Sequence, residues 1–325
     1  MPLLIVILGL FLLFLLIAKF KLNAFIAFII VSLAVGIAEG MDLEKVVKSI
    51  EHGIGNTLGF LVMILGLGAM LGKLVADSGA AQQITTKLVA KFGIKNIQWA
   101  LVLTGFIVGI PLFYEVGFVI LVPLIFTITA STGLPLLYVG LPMLASLSVT
   151  HGYLPPHPAP TAITAMFNAD MGKVLLYGII IAIPAIAVAG PWFSRTIKNV
   201  EATPLKDFVN PTVLTEEEMP GINISIFTAL LPIILIMFST VADLFFPKDY
   251  GFMPFVNFLG NPVIAMLISV LVAIYTLGLA RGKRMTDIMG SMSSSISGIT
   301  MVLLIIAGAG ALKEVLIDSG VSLYI

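Results

Sequence analysis

Cysteine is absent from this chain, histidine occurs three times, tryptophan twice, and charged side chains make up only 10% of its 325 residues. Each shortage excludes something. Without cysteine there is no disulfide, no thiol nucleophile and no Cys-ligated metal site, while the compartment stays open. Charge this far below the ~25% of soluble domains, with 59% hydrophobic residues and a mean hydropathy of +1.13, excludes a water-soluble domain. The composition is that of an all-α polytopic membrane protein. Seventeen Lys and Arg balance seventeen Asp and Glu, and the basic residues sit in short clusters, so no nucleic-acid partner is expected. The opening MPLLIVILGLFLLFLLIAKFK has no basic leader and no small-residue cleavage site, and reads as a retained first helix.

Runs of about 18 or more apolar residues are candidate spans. They fall at 2–18, 22–39, 54–76, 174–194, 223–245, 259–280 and 299–317. Between Ile97 and Thr150 the apolar chain is broken by Gly109, Pro111, Gly133, Pro135 and Pro142, which predicts two or three crossings and at least one discontinuity. Ala80 to Lys95 carries Ile84, Leu88 and Phe92 at helical spacing beside Lys87, Lys91 and Lys95, the pattern of a helix lying on the membrane surface. Residues 1–195 form a first half, span 1 followed by a unit over 22–195; 196–222 is a polar cytoplasmic linker; and 223–325 is a second half. Glu216, Glu217 and Glu218 in the linker read as a solvated helix start. His52, beside Gly53, is expected in a solvated loop, Asp243 at an interface, and Asn168 and Asp170 as the end of one helix and the cap of the next.

Lys19 and Lys21, the Lys87–Lys95 group, and Arg281, Lys283 and Arg284 place three short loops in the cytoplasm. ILGLGAMLGKLVADSG, ending at Gly79, aligns without gaps with IIAGAGALKEVLIDSG, ending 241 residues later at Gly320. The charge-based orientation inserts the two copies oppositely, which predicts inverted-topology repeats with discontinuous or re-entrant helices. The second copy reaches Ile325 five residues after its Asp-Ser-Gly, whereas the first unit's length predicts an end near residue 430. A truncated second repeat is therefore expected. Lys73 with Asp77, and Glu314 with Asp318, share helix faces near membrane boundaries and read as interfacial anchors.

Polar chemistry concentrates between Pro111 and Thr161. Glu115 sits in LFYEVGFV, where a mid-membrane carboxylate costs about 2.5–3.5 kcal/mol, so it is expected to face a cavity or carry a proton, or else to sit at a helix end. In THGYLPPHPAPT, from Thr150 to Thr161, four prolines in six residues and Gly152 forbid a continuous helix. If a helix restarts at Thr161, its free amides point into the break and suit a carboxylate. His151, Gly152, Pro155, Pro156 and His157, in and beside this break, are then expected to bind the substrate together with Ser148, Thr150 and Thr161. Ser146, Ser148, Thr150, Thr161 and Thr164 are hydroxyl partners for a polyol.

LFYEVGFV, VTHGYLPPHPAPTAI, FNADMGK and LGAMLGKLVADSG together resemble the bacterial gluconate:proton symporter family, within the larger ion-transporter superfamily, and the likeness runs the length of the chain. Ala159 stands where that family usually has Gly, and Tyr153 where Phe is common. The resemblance implies a multi-pass carrier in the cytoplasmic (inner) membrane of a bacterium, not an enzyme, and a homodimer. It would import gluconate or a related sugar acid by proton symport, with the proton as coupling ion and no cofactor. It also implies that a second Gly/Ser/Thr-rich half-site lies beyond residue 325.

Alternating access follows as the expected mechanism. Glu115, His151 or His157 takes the proton; the carboxylate docks at the helix end after His157; His151 and the hydroxyls read the polyol. Idonate, glycerate or D-serine are alternative substrates that the motifs do not separate. A different class, an intramembrane Zn²⁺ hydrolase using His151, His157 and Glu115, is disfavoured by a six-residue histidine spacing across prolines.

Overall fold

The computed structural model describes residues 2–200, 202, 214–247 and 249–324. Helix is the one regular secondary structure among the described residues, with no strand. In chain order the helices are α1 Pro2–Phe14, α2 Ala24–Ala38, α3 Leu43–Asp77, α4 Ala80–Phe92, α5 Ile97–Gly109, α6 Tyr114–Thr132 and α7 Leu136–Tyr153. They continue with α8 Pro158–Met166, α9 Met171–Ala187, α10 Phe193–Thr196, α11 Ile222–Phe245, α12 Met253–Gly260, α13 Pro262–Ala273 and α14 Met285–Asp318. Seven segments are long and apolar enough to cross a membrane, and an eighth is possible if the bent pair α4–α5, angled by 111°, counts as one. Residues 201 and 203–213 of the 196–222 linker lie outside the described residues.

Two compact units divide the chain: Met1–Met63 with Gly298–Ile325, and Ile64–Ser297. In the first, α1 buries only Val6 and Gly9, and leaves Leu4, Ile7, Leu8, Phe11 and Phe14 more than half exposed, as a lipid-facing helix should. Val31, Val35, Val46, Ile50, Ala311, Leu312 and Val315 form its core. The hydroxyl of Ser49 donates to Asp318 Oδ2 at 2.6 Å, and Lys45 Nζ to the Asp318 carbonyl at 3.1 Å. Asp318 is thus a hydrogen-bonded helix end.

Helix α3 has 35 residues, roughly 52 Å at 1.5 Å per residue, well beyond a ~30 Å hydrocarbon core. The apolar run beginning at 54 therefore leaves out the first 11 of its 35 residues. Gly53 lies inside the helix and close against the Gly310 backbone, and His52 is an exposed helical residue instead of a loop residue.

The second unit has three larger cores. Ala81, Ile84, Leu101, Leu121, Met143 and Leu147 belong to the first; Leu71, Val75, Ala229, Met266 and Val270 to the second; Ile110, Leu154, Leu175, Ile233 and Ile236 to the third. Helix α4 packs its first turns on protein: Ala80, Ala81, Gln83, Ile84 and Thr85 are buried. Lys87 pairs with Glu216, Gln82 bonds both ways with the Leu214 backbone, and Arg281 donates to the Glu217 carbonyl. Two of the basic clusters assigned to the cytoplasm thus meet the acidic linker stretch at one end of this unit. The glutamates form a turn instead of a helix start, and bonds from the Thr215 amide and hydroxyl hold the Glu218 carboxyl below the usual range. Asp77 accepts from Lys73 at 2.8 Å and from Ser291, while its carbonyl accepts from Lys283 at 3.0 Å. Asp170 caps α9 by accepting from the Lys173 amide at 2.7 Å.

Candidate functional site

The stretch from Ile97 to Phe167 makes two breaks and brings them together. Helix α5 ends at Gly109, and Ile110–Phe113, containing Pro111, turns the chain into α6. Helix α7 ends at Tyr153, and Leu154–His157, with a cis bond between Pro155 and Pro156, leads into α8. What holds the breaks side by side is the seam between α5 and α7. Gly105 and Gly109, four residues apart, have no room for a Cβ: at Gly105 it would meet the Met143 carbonyl and Ser146, at Gly109 the Thr150 hydroxyl and Leu147. Small residues at this spacing let helix backbones approach closely in a membrane. Ser146 seals the seam by donating to the Val102 carbonyl at 2.8 Å. Ile110 from one break and Leu154 from the other enter the same core.

His157, 4% exposed, places Nε2 at 2.9 Å from the Gly109 carbonyl. His157 and His151 approach Nδ1 to Nδ1 at 3.2 Å, and the Tyr114 amide donates to His151 Nδ1 at 3.3 Å. Phe113 stands edge-on to both imidazoles at 6.3 and 6.2 Å.

Counting protons is informative here. A carbonyl only accepts, so His157 Nε2 carries hydrogen; an amide only donates, so His151 Nδ1 offers its lone pair to Tyr114. The Nδ1–Nδ1 contact then takes its hydrogen from His157 Nδ1, with the single lone pair of His151 shared between two long bonds. All three contacts together need one proton more than a neutral pair holds. In a neutral pair His151 Nδ1–H turns to His157, and the Tyr114 amide loses its acceptor.

Several expected site residues have other work. Thr150 and Thr164 donate to carbonyls within their own helices, Thr150 to Leu147 at 2.8 Å and Thr164 to Pro160 at 2.6 Å. Ser146 belongs to the seam, and Ser148 is exposed. Gly152 is helical, in the last turn of α7, so the break begins two residues later than expected, and α8 restarts at Pro158 instead of Thr161. That shift changes the anion chemistry. Pro158 and Pro160 have no N–H, and the Thr161 amide bonds the His157 carbonyl at 3.0 Å, leaving Ala159 as the lone free amide of the α8 first turn. The amide-rich helix start is instead that of α6, where Tyr114, Glu115 and Val116 precede the first intrahelical bond, from Gly117 to Phe113 at 2.9 Å. Glu115 is exposed in this turn, close enough for its charge to act on His151. Thr161 Oγ1 is buried without a hydrogen-bond partner.

Among the described residues, Glu115 does not join the histidines in a three-ligand cluster, as the hydrolase alternative requires. A cavity beside His157, bounded by Leu71, Ile110, Pro111, Pro156 and Pro232, has about 10 Å³ of space, room for one water. The Gly109 carbonyl, the Tyr114 amide and Phe113 were not among the expected site residues. The Gly-x-x-x-Gly spacing before Pro111 is the signal that points to them.

Broken helices meeting around a buried histidine and its half-buried partner, within a set of apolar spans, define a multi-pass transporter. A crystal structure of the YdaH transporter of Alcanivorax borkumensis shares the fold, with a TM-score of 0.54 at 17% identity over 92% of this chain and 71% of that one. The GntP family permease pattern matches residues 1–325. A high-affinity gluconate transporter of Escherichia coli (strain K12) is 55% identical over all of this chain and 74% of its own length. The Gnt-II system L-idonate transporter of the same organism is 53% identical over the same shares. A gluconate permease of Bacillus subtilis (strain 168) is 50% identical over all of this chain and 75% of its own. The chain belongs to the GntP permease family: it is a multi-pass bacterial membrane protein that moves a small molecule across the bilayer.

Proposed function

We propose that the protein imports gluconate, or a sugar acid close to it, by proton symport across the cytoplasmic membrane, working by alternating access as a homodimer without a cofactor. The observation that carries the substrate is identity of 50–55% over the whole chain to relatives named for gluconate. L-idonate is the second reading, supported by a relative at 53%.

The site supports a specific coupling scheme. The histidine pair takes up one proton to complete its three contacts, and that proton travels with the substrate. The substrate carboxylate docks on the Glu115 and Val116 amides at the start of α6, where the helix dipole favours an anion. Glu115 occupies the same ground, so its charge must be neutralised by a proton before a second carboxylate can load. The unpartnered Thr161 hydroxyl meets a substrate hydroxyl. Pro155 and Pro156 hold the shape of the break, and a cavity the size of one water means that the elements around His157 must part to admit a sugar acid.

The test is uptake of labelled gluconate into proteoliposomes under an imposed inward proton gradient. Accumulation that a protonophore collapses is expected. Absence of gluconate uptake together with counterflow of idonate would keep the mechanism and replace the substrate; facilitated gluconate flux indifferent to the gradient would remove the symport.

A further inference from the structure

Far from the histidines, at the start of α5, the fold buries an amide side chain and uses every polar atom it has. Gln98, 3% exposed, donates from Nε2 to Ser194 Oγ at 2.6 Å and to the Tyr138 carbonyl at 3.3 Å. Its Oε1 accepts from Arg195 Nε at 3.1 Å. Ser194 passes its own proton to the Pro191 carbonyl at 3.2 Å. Burying such a group in a membrane protein is costly unless it is fully satisfied, and what this network achieves is to fix one guanidinium.

Arg195 so held lines a cavity of about 380 Å³ with Lys198, Tyr138, Leu134 and Pro135, a volume within the ~300–1,000 Å³ of small-ligand sites. Neither cation belongs to an ion pair among the described residues. The depth of the cavity is marked by the chain's only two tryptophans. Trp99 follows Gln98 and is 41% exposed; Trp192 is three residues before Arg195 and 59% exposed. Exposed tryptophans sit at the membrane–water boundary, and Lys87, Lys91 and Lys95 just ahead of α5 mark this boundary as the basic side.

We propose that this cavity binds a phosphate group at the bilayer surface, with the Arg195 fork taking two phosphate oxygens, Lys198 adding charge, and Leu134 and Pro135 lying against the apolar part of the molecule. The headgroup depth makes an anionic phospholipid the bearer of that phosphate; free inorganic phosphate is the other source of the same chemistry.

Tryptophan quenching by brominated lipids is the readout, because Trp99 adjoins Gln98 and Trp192 lies one helical turn before Arg195. The full protein is reconstituted in vesicles of dibrominated phosphatidylglycerol or dibrominated phosphatidylcholine in stepped mixtures. Phosphatidylglycerol is expected to be preferred, each cation contributing roughly fivefold. Arg195→Gln and Lys198→Gln should each remove about that factor, while Gln98→Leu, which keeps both charges but loses the aim, should lower the preference in proportion to the Arg195 share. Lys198 is exposed, so its variant keeps the test valid if the Gln98 change disturbs folding. Equal quenching by the two lipids in the native protein with tryptophan emission indifferent to phosphate, or a preference unmoved by Arg195→Gln and Lys198→Gln, overturns the site. Loss of the native preference in 20 mM inorganic phosphate, with no such loss in matched chloride, supports one phosphate site that headgroup and free phosphate share; equal quenching by the two lipids with a phosphate-induced change in tryptophan emission that Arg195→Gln abolishes assigns the site to free phosphate and overturns the lipid.

Discussion

Replacing Tyr114 by proline deletes one hydrogen-bond donor with little else of the backbone. Tyr114 is the first residue of α6, the position where a helix accepts proline best, and Phe113 before it, at φ −60° and ψ 148°, already has the extended conformation that proline imposes on its predecessor. The lost donor is the amide that reaches His151 Nδ1 at 3.3 Å. In the scheme above that bond exists when the histidine pair holds its extra proton and is given up when the pair is neutral. Its removal therefore weakens proton holding, and a more acidic medium is needed for the same occupancy. A neutral hydrogen bond contributes about 0.5–1.5 kcal/mol, and 1.36 kcal/mol corresponds to one pH unit, so the midpoint of uptake should move by about 0.4–1 unit to lower pH. The measurement is the initial rate of gluconate uptake against external pH in proteoliposomes. Tyr114→Ala, which removes the ring and keeps the amide, is the control. Superimposable profiles for the proline and alanine variants would refute the proton count, whatever the absolute rates.

Three further outcomes follow from named contacts. Glu115→Gln removes one of the two protons that load with the substrate in this scheme, so the gradient-driven accumulation ratio should fall while counterflow exchange is spared; an unchanged ratio would remove Glu115 from coupling. Thr161→Val deletes a buried hydroxyl that bonds nothing in the protein, so thermal stability in detergent should hold or rise, while gluconate affinity falls about 2- to 13-fold for one lost bond; unchanged affinity would place the hydroxyl outside the substrate site. Gly105→Ala drives a Cβ into the Met143 carbonyl and should destabilise by about 1–3 kcal/mol, whereas Gly55→Ala, in open space on α3, should stabilise by about 0.5–1 kcal/mol; melting temperatures shifted alike would contradict the seam.

The spans were legible because lipid tolerates little but apolar helix: five of the seven expected runs fall within helical segments long enough to cross, and a sixth, 259–280, starts three residues ahead of its segment. Hydropathy fails where helix and apolar run part company. Glu44 to Glu51 are charged enough to hide the start of α3, yet Val46 and Ile50 are buried there. It also fails where the solvent of an apolar face is protein: α4 has the lysine-edged pattern of a surface helix, and Ile84 is wholly buried. The histidine motif was legible as a break but misplaced, because proline ends a helix only from its interior; at Pro158 it starts one. That His151 and His157 touch, and that Gly109 completes them, depends on two breaks 40 residues apart in sequence lying at one height, which no local pattern states.

That common height has a consequence for movement. Two helices locked glycine to backbone along α5 and α7 cannot creep past one another; the next register that places a small residue opposite Gly105 is a full helical turn away, about 5.4 Å. The pair behaves as a ruler, and the histidine contacts at its end keep their length whatever else shifts. In the alternating-access scheme proposed above, opening would be expressed at the helix breaks outside this seam, at Gly133–Pro135 and after His157, while the histidine contacts keep their lengths.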